Sequence, residues 1–272
     1  MSLDLGGSVI LELLLLGACT GFLAGLFGIG GGMLLVPFMT FVLSARGVPS
    51  NLVVKMAIAT SLATICFTSL SSVRAHHQRG AVRWDIVKLL APGIALGSLL
   101  GAQIAKAMPT LVLTVLFAVF ITFSATQMLR GSKPKPSRDL PAGAAMFGVG
   151  SMIGLLAALV GAGGAFVSVP FMSWCNVKLH SAVATSAALG FPIAVAGTAG
   201  YVIAGWSVPD IPPGALGFIY LPALLTISLA SVATAPLGAS AAHRLDVAQL
   251  KRGFAGLLYA LAAYMAFKAA RL

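Results

Sequence analysis

The sequence predicts an all-α polytopic membrane protein built from two inverted repeats, and three observations lead there. The first is composition. Of 272 residues only 17 are Lys or Arg and 6 are Asp or Glu, whereas a soluble domain of this length, at about 25% charged residues, would carry roughly 68. With 59% hydrophobic residues and a mean hydropathy of +1.01, the chain has too little polar surface for water. The second is segmentation into apolar runs of membrane-spanning length. The third is a sequence pattern that occurs once in each half.

The runs, bounded by Gly, Pro or charge, fall at 8–27, 33–45, 52–73, 84–105, 109–129, 141–160, 165–177, 181–205, 214–241 and 246–268. A helix rises about 1.5 Å per residue, and the hydrocarbon core is about 30 Å thick. Eight of the ten runs suit a full crossing; 33–45 and 165–177 are too short and read as half-helices, each following a Gly-rich turn. The strongly polar stretch Arg130 to Asp139, RGSKPKPSRD, combines two prolines with four basic residues and belongs outside lipid. It divides the chain into an N-terminal repeat (1–129), a basic cytoplasmic linker (130–140) and a C-terminal repeat (141–272).

The halves overlay. GFLAGLFGIGGGMLLVPFM (from Gly21) matches GLLAALVGAGGAFVSVPFM (from Gly154), pairing Gly28, Gly30 and Gly31 with Gly161, Gly163 and Gly164, and Pro37 with Pro170. Further on, Lys55-Met-Ala-Ile-Ala-Thr60-Ser61 matches His180-Ser-Ala-Val-Ala-Thr185-Ser186. Basic residues of membrane proteins concentrate in cytoplasmic connections. Placing 74–88, 130–138 and 244–252 inside puts Lys178 inside too and gives 12 basic residues on that side against 5 on the other. Each half then has five segments, an odd number, so the second half starts on the opposite side from the first and the repeats are inverted.

The net charge of +11 is explained by this orientation. The basic residues are scattered between apolar runs, with no stripe or face for nucleic acid. Cys19, Cys66 and Cys175 sit singly in apolar stretches and read as small hydrophobes. No metal-ligand spacing, nucleophile triad or phosphate-binding loop occurs, so neither an enzyme nor a cofactor or metal site is expected. Leu16-Gly17-Ala18-Cys19 resembles the end of a lipoprotein signal, but the preceding residues include Asp4 and no Lys or Arg, and the segment reads as a mature membrane helix.

The two glycine turns are the candidate substrate site: Gly28, Gly30, Gly31 and Gly32 in the first half, Gly161, Gly163 and Gly164 in the second. Glycine allows close backbone approach, and a helix that starts just after such a turn presents free N–H groups and a positive dipole end to an anion. Broken helices at matching positions of inverted halves mark a transporter's midplane site. Packing alone is the other reading of the glycines, with an anion channel or a non-transporting membrane scaffold as the corresponding function. Lys55 and His180 are ionisable groups either at the site or snorkelling to the interface. Thr60, Ser61, Thr185 and Ser186 either donate hydroxyls to an oxyanion or bond within their own helices. Five of the six acids lie in connections or at segment ends, leaving only Glu12 within a run, which disfavours a carboxylate site for cations.

The glycine turns leading into V-P, each followed by A-T-S, resemble the TauE/SafE family of sulfite exporter-like permeases over roughly residues 9 to 268. The resemblance implies a multi-pass, exporter-like transporter of the cell inner membrane for a small anion such as sulfite or an organosulfonate, and the paired broken helices add the expectation of alternating access around a midplane site. The partners it implies are that anion and the lipid bilayer. Self-association into a homo-oligomer stays open, since the exposed faces carry no dimer signature. Ala165 stands where the first half has Gly32, and Ala162 where it has Ile29, so the turns are not equal.

Overall fold

The computed structural model describes residues 7–27, 31–130, 139–141, 143–241 and 247–271. Among them are ten helices: α1 (Gly7–Phe27), α2 (Gly32–Ala45), α3 (Ser50–His77), α4 (Trp84–Ala107), α5 (Thr110–Arg130), α6 (Gly143–Val160), α7 (Ala165–Trp174), α8 (Leu179–Gly205), α9 (Leu221–Ala241) and α10 (Val247–Ala269). Seven are long and apolar enough to cross a membrane, and α2 and α7 are the short ones. The ten apolar runs are therefore ten helices, with one correction. The run 214–241 does not begin as helix: β1 (Ala215–Leu216) and β2 (Ile219–Tyr220) form a small antiparallel hairpin ahead of α9. Pro212 and Pro213 cannot continue a helix, and Gly214 and Gly217 take left-handed backbone angles, which turns the chain back on itself.

The two short helices start and stop by the same local chemistry. Each is preceded by a left-handed glycine, Gly31 at φ 72° and Gly164 at φ 73°. At the far end Gly47 N–H bonds to the Ser44 carbonyl and Val48 N–H to Leu43, while Asn176 N–H bonds to Ser173 and Val177 N–H to Met172. This is the Schellman stop, with glycine as its left-handed residue in one half and asparagine in the other.

Burial places the elements. Of the spanning stretch of α3, 83% is buried inside the protein, against 33% for α9. So α3 is the central helix, and α9 turns Leu225, Leu229 and Leu237 outward. Around the centre, α1 packs along α9 and α6 along α4, in both cases side by side and parallel. Small residues make this approach possible. A Cβ on Gly97 would run into the Ser151 carbonyl, one on Gly154 into Ile94, and one on Gly21 into Ser231. Ser98 Oγ adds a bond to the Gly154 carbonyl at 3.2 Å, and Thr234 Oγ1 to the Ala18 carbonyl at 2.9 Å.

At the centre α3 crosses α8 antiparallel: Leu62 lies against Gly197 and Ser69 against Gly190. Residues late in one helix thus meet residues early in the other. The glycine turns lie at the ends of α1 and α6, beside this crossing.

Candidate functional site

The first turn follows α1, and Gly28 and Gly30 lie outside the described residues. Gly31 is the N-cap of α2 and Gly164 the N-cap of α7, neither with a side-chain cap. Their carbonyls already accept helix bonds, from Leu34 and Leu35 N–H in one half and from Val167 and Ser168 N–H in the other. The N–H groups at the start of each helix precede the first intrahelical bond, and a glycine cap offers them no side-chain acceptor.

The two turns touch. The Cα of Gly32 packs on the carbonyl of Gly161, so closely that a Cβ there would overlap the oxygen. Ser61 Oγ donates to the same carbonyl at 2.9 Å. On the other side of Gly161 lie Val36 of α2 and Ile58 of α3. The start of α2, the end of α6 and the middle of α3 therefore converge on one carbonyl group. Ser186 Oγ hydrogen-bonds Ser168 Oγ at 2.7 Å, joining α8 to the first turn of α7.

The remaining residues singled out in the sequence divide into two groups. Thr60 and Thr185 are fully buried but engaged in a reciprocal arrangement. Thr60 Oγ1 accepts the backbone N–H of Tyr220, just before α9, at 3.0 Å; Thr185 Oγ1 accepts that of Arg83, just before α4, also at 3.0 Å. Each threonine holds the entry of a helix belonging to the opposite half. Lys55 and His180 are not brought to the turns. Lys55 Nζ donates to the Lys106 carbonyl at 2.7 Å, in the last turn of α4, where a cation meets the negative end of the helix dipole. His180 is exposed in the first turn of α8. Glu12 is exposed on α1.

A small cavity opens beside the second turn. Its polar lining is Thr68, Ser69 and Ser72 of α3, Ser186 of α8 and the backbone of Gly163. At about 10 Å³ it has room for about one water. Thr68 hydrogen-bonds back to its own helix at the Thr64 carbonyl, and Ser69 to Cys66. Ser72 Oγ is buried with no hydrogen-bond partner among the described residues. Sequence comparison of the halves passed over these α3 hydroxyls because the second half lacks them: in the register that pairs Thr60 with Thr185, α8 carries Ile193, Ala194 and Gly197 there. Their signal was the helical spacing of buried hydroxyls in α3, at Thr60, Thr64, Thr68 and Ser72.

A family model described as Sulfite exporter TauE/SafE matches residues 13–265. The chain belongs to the TauE/SafE family. Among its relatives, a probable membrane transporter protein of Haemophilus influenzae is 36% identical over 95% of this chain and 98% of its own length. Another, from Methanocaldococcus jannaschii, is 24% identical over 93% and 94% of the two chains. The probable membrane transporter protein YunE of Bacillus subtilis is 26% identical over 71% and 78%. No solved structure matches the chain. The protein is thus a multi-pass membrane transporter of TauE/SafE type, and the touching turns lie inside the matched region.

Proposed function

We propose that this TauE/SafE transporter exports a small oxyanion, sulfite or an organosulfonate, across the cytoplasmic membrane by alternating access at the paired glycine turns. The observation that carries the reading is the contact of Gly32 with the Gly161 carbonyl. It sets the uncapped start of α2 against the turn that leads from α6 into the uncapped start of α7, and helix starts attract anions. Hydroxyls of Ser61, Ser168 and Ser186 stand beside them, and no carboxylate lines the adjoining cavity. The substrate-binding set is Gly28, Gly30, Gly31, Gly32 and Ser61 with Gly161, Gly163, Gly164 and Ser186. Thr60 and Thr185 hold the entries of α9 and α4 in place around it.

The halves 1–129 and 141–272 are read as inverted repeats joined by the basic linker 130–140. The antiparallel crossing of α3 and α8 supports this, as do the matched pairs α1 with α9 and α6 with α4. Rocking one group of helices against the other would open the cavity to each side in turn. A negative interior already drives anions outward, at about 2.3 kcal/mol per charge per 100 mV, so export needs no coupled ion.

The test is flux of sulfite and methanesulfonate from vesicles containing the purified protein, with Gly31→Leu and Gly164→Leu as variants. Saturable flux stimulated by countertransport, and lost in both variants, is the expected result. Unchanged flux in correctly inserted variants would leave the glycines as packing residues, and non-saturable flux would make the protein a channel.

A further inference from the structure

The cavity beside the second turn carries an inference about the charge of what binds there, resting on the oxyanion reading above. Its polar groups are all neutral: the hydroxyls of Thr68, Ser69, Ser72 and Ser186 and the amide backbone at Gly163, among apolar walls. The charged and imidazole side chains of the surrounding helices are Glu12 on α1, Lys55, Arg74, His76 and His77 on α3, and His180 on α8; none of them lines the cavity. Arg83, whose backbone reaches Thr185, directs its guanidinium to Asp85 at an exposed position. Among the described residues, then, an anion in this cavity meets hydroxyls and no countercharge: Ser72 has no bond to break, while Thr68 and Ser69 donate to an anion by turning away from the carbonyls of their own helix.

Ser72 gives the cavity a hydroxyl that a ligand can engage without breaking another bond. Its side chain is 6% exposed, it lines the cavity, and its Oγ has no partner among the described residues. A buried hydroxyl left unpaired costs stability. An oxyanion oxygen in the cavity is an acceptor for it. The loss of solvation on entering a low-dielectric site grows with the square of the charge, so a dianion loses about four times what a monoanion does. Neutral hydroxyls recover part of that loss for one charge and fall far short for two.

We infer that the site takes singly charged oxyanions, hydrogen sulfite or a sulfonate, in preference to the sulfite and sulfate dianions, and that Thr68, Ser69 and Ser72 are its specificity-determining donors. Sulfite exchanges between the two charge states around neutral pH, whereas methanesulfonate stays a monoanion. This gives a test that separates titration of the substrate from titration of the protein.

In vesicles carrying the full chain, with protein-free vesicles subtracted, sulfite flux should rise as pH is lowered through neutrality, in proportion to the hydrogen sulfite fraction. Methanesulfonate flux should stay flat, and sulfate should neither move nor compete. Ser72→Ala and Thr68→Val, checked for normal insertion, should lower methanesulfonate flux several-fold. Sulfite flux that ignores pH, sulfate carried as well as methanesulfonate, or well-inserted variants of undiminished flux would each overturn the inference and leave the anion-transport reading standing. Absence of flux for all three anions would overturn both.

Discussion

Gly31 and Gly32 are adjacent glycines required for different reasons. Gly31 is held at φ 72°, a left-handed conformation that costs an ordinary residue about 1–2 kcal/mol. A Cβ there would also sit 3.1 Å from the Thr20 carbonyl. Gly32 has ordinary helical geometry, and its constraint is the Gly161 carbonyl against its Cα. Gly31→Ala is therefore expected to lose about 1–2 kcal/mol of stability, and Gly31→Asn less, because asparagine tolerates the left-handed region. Gly32→Ala forces the two turns apart and should cost more than Gly31→Ala while also lowering flux. Thermal unfolding in detergent, paired with vesicle flux, reads both effects, and a Gly32→Ala protein as stable and active as the native one would contradict the observed contact. The glycine pattern itself was legible in the sequence, since the repeat of G-x-G-G before V-P stood out in both halves. Which glycine is bent and which is crowded was not legible, because crowding at Gly32 comes from a residue over a hundred positions away.

Among the elements, the threonines of the A-T-S repeats show how partial a sequence reading of function can be. The repeat pairs Thr60 with Thr185 as candidate ligands, and the structure engages both as acceptors of backbone N–H bonds. Their donors, Tyr220 and Arg83, begin helices in the opposite half, 160 and 102 residues distant, and nothing local signals such a pairing. Lys55 and His180 matched in the same alignment but not in their helices. The helix starts are capped by Pro49 and Lys178, so Lys55 falls in the second turn of α3 and His180 in the first turn of α8. The reciprocal bonds predict that Thr60→Val and Thr185→Val each lose about 1–3 kcal/mol by orphaning a backbone donor, whereas Thr→Ser at either site retains most of it. Tyr220 N–H is buried at its partner and Arg83 N–H only partly so, so Thr60→Val should be the more damaging of the two. Thermal unfolding of the four variants measures this, and equal behaviour of Val and Ser would show that neither bond matters.

At the scale of the molecule, the proposed inversion follows from direction more than from resemblance between halves. Helices α3 and α8 carry the two A-T-S matches, and they cross antiparallel with Leu62 on Gly197 and Ser69 on Gly190. If equivalent central helices run in opposite directions through one bilayer, their following connections emerge on opposite faces. The connection after α3 carries Arg79 and Arg83, and the one after α8 carries Asp210 and no Lys or Arg up to Tyr220. By the positive-inside rule, the proposed orientation puts the connection after α3 on the cytoplasmic face and the one after α8 outside. Single cysteines at Gln78 and Asp210, in a background with Cys19, Cys66 and Cys175 replaced by alanine, should then differ in intact cells. A membrane-impermeant maleimide should label the Asp210→Cys protein from outside, and the Gln78→Cys protein only after the cells are opened. Equal labelling at both positions would put the two connections on one face, and an exchange of halves could then no longer convert an inward-open path into an outward-open one. The charge asymmetry alone could not rescue the proposed mechanism, because exchange between inverted repeats needs the two copies to point in opposite directions.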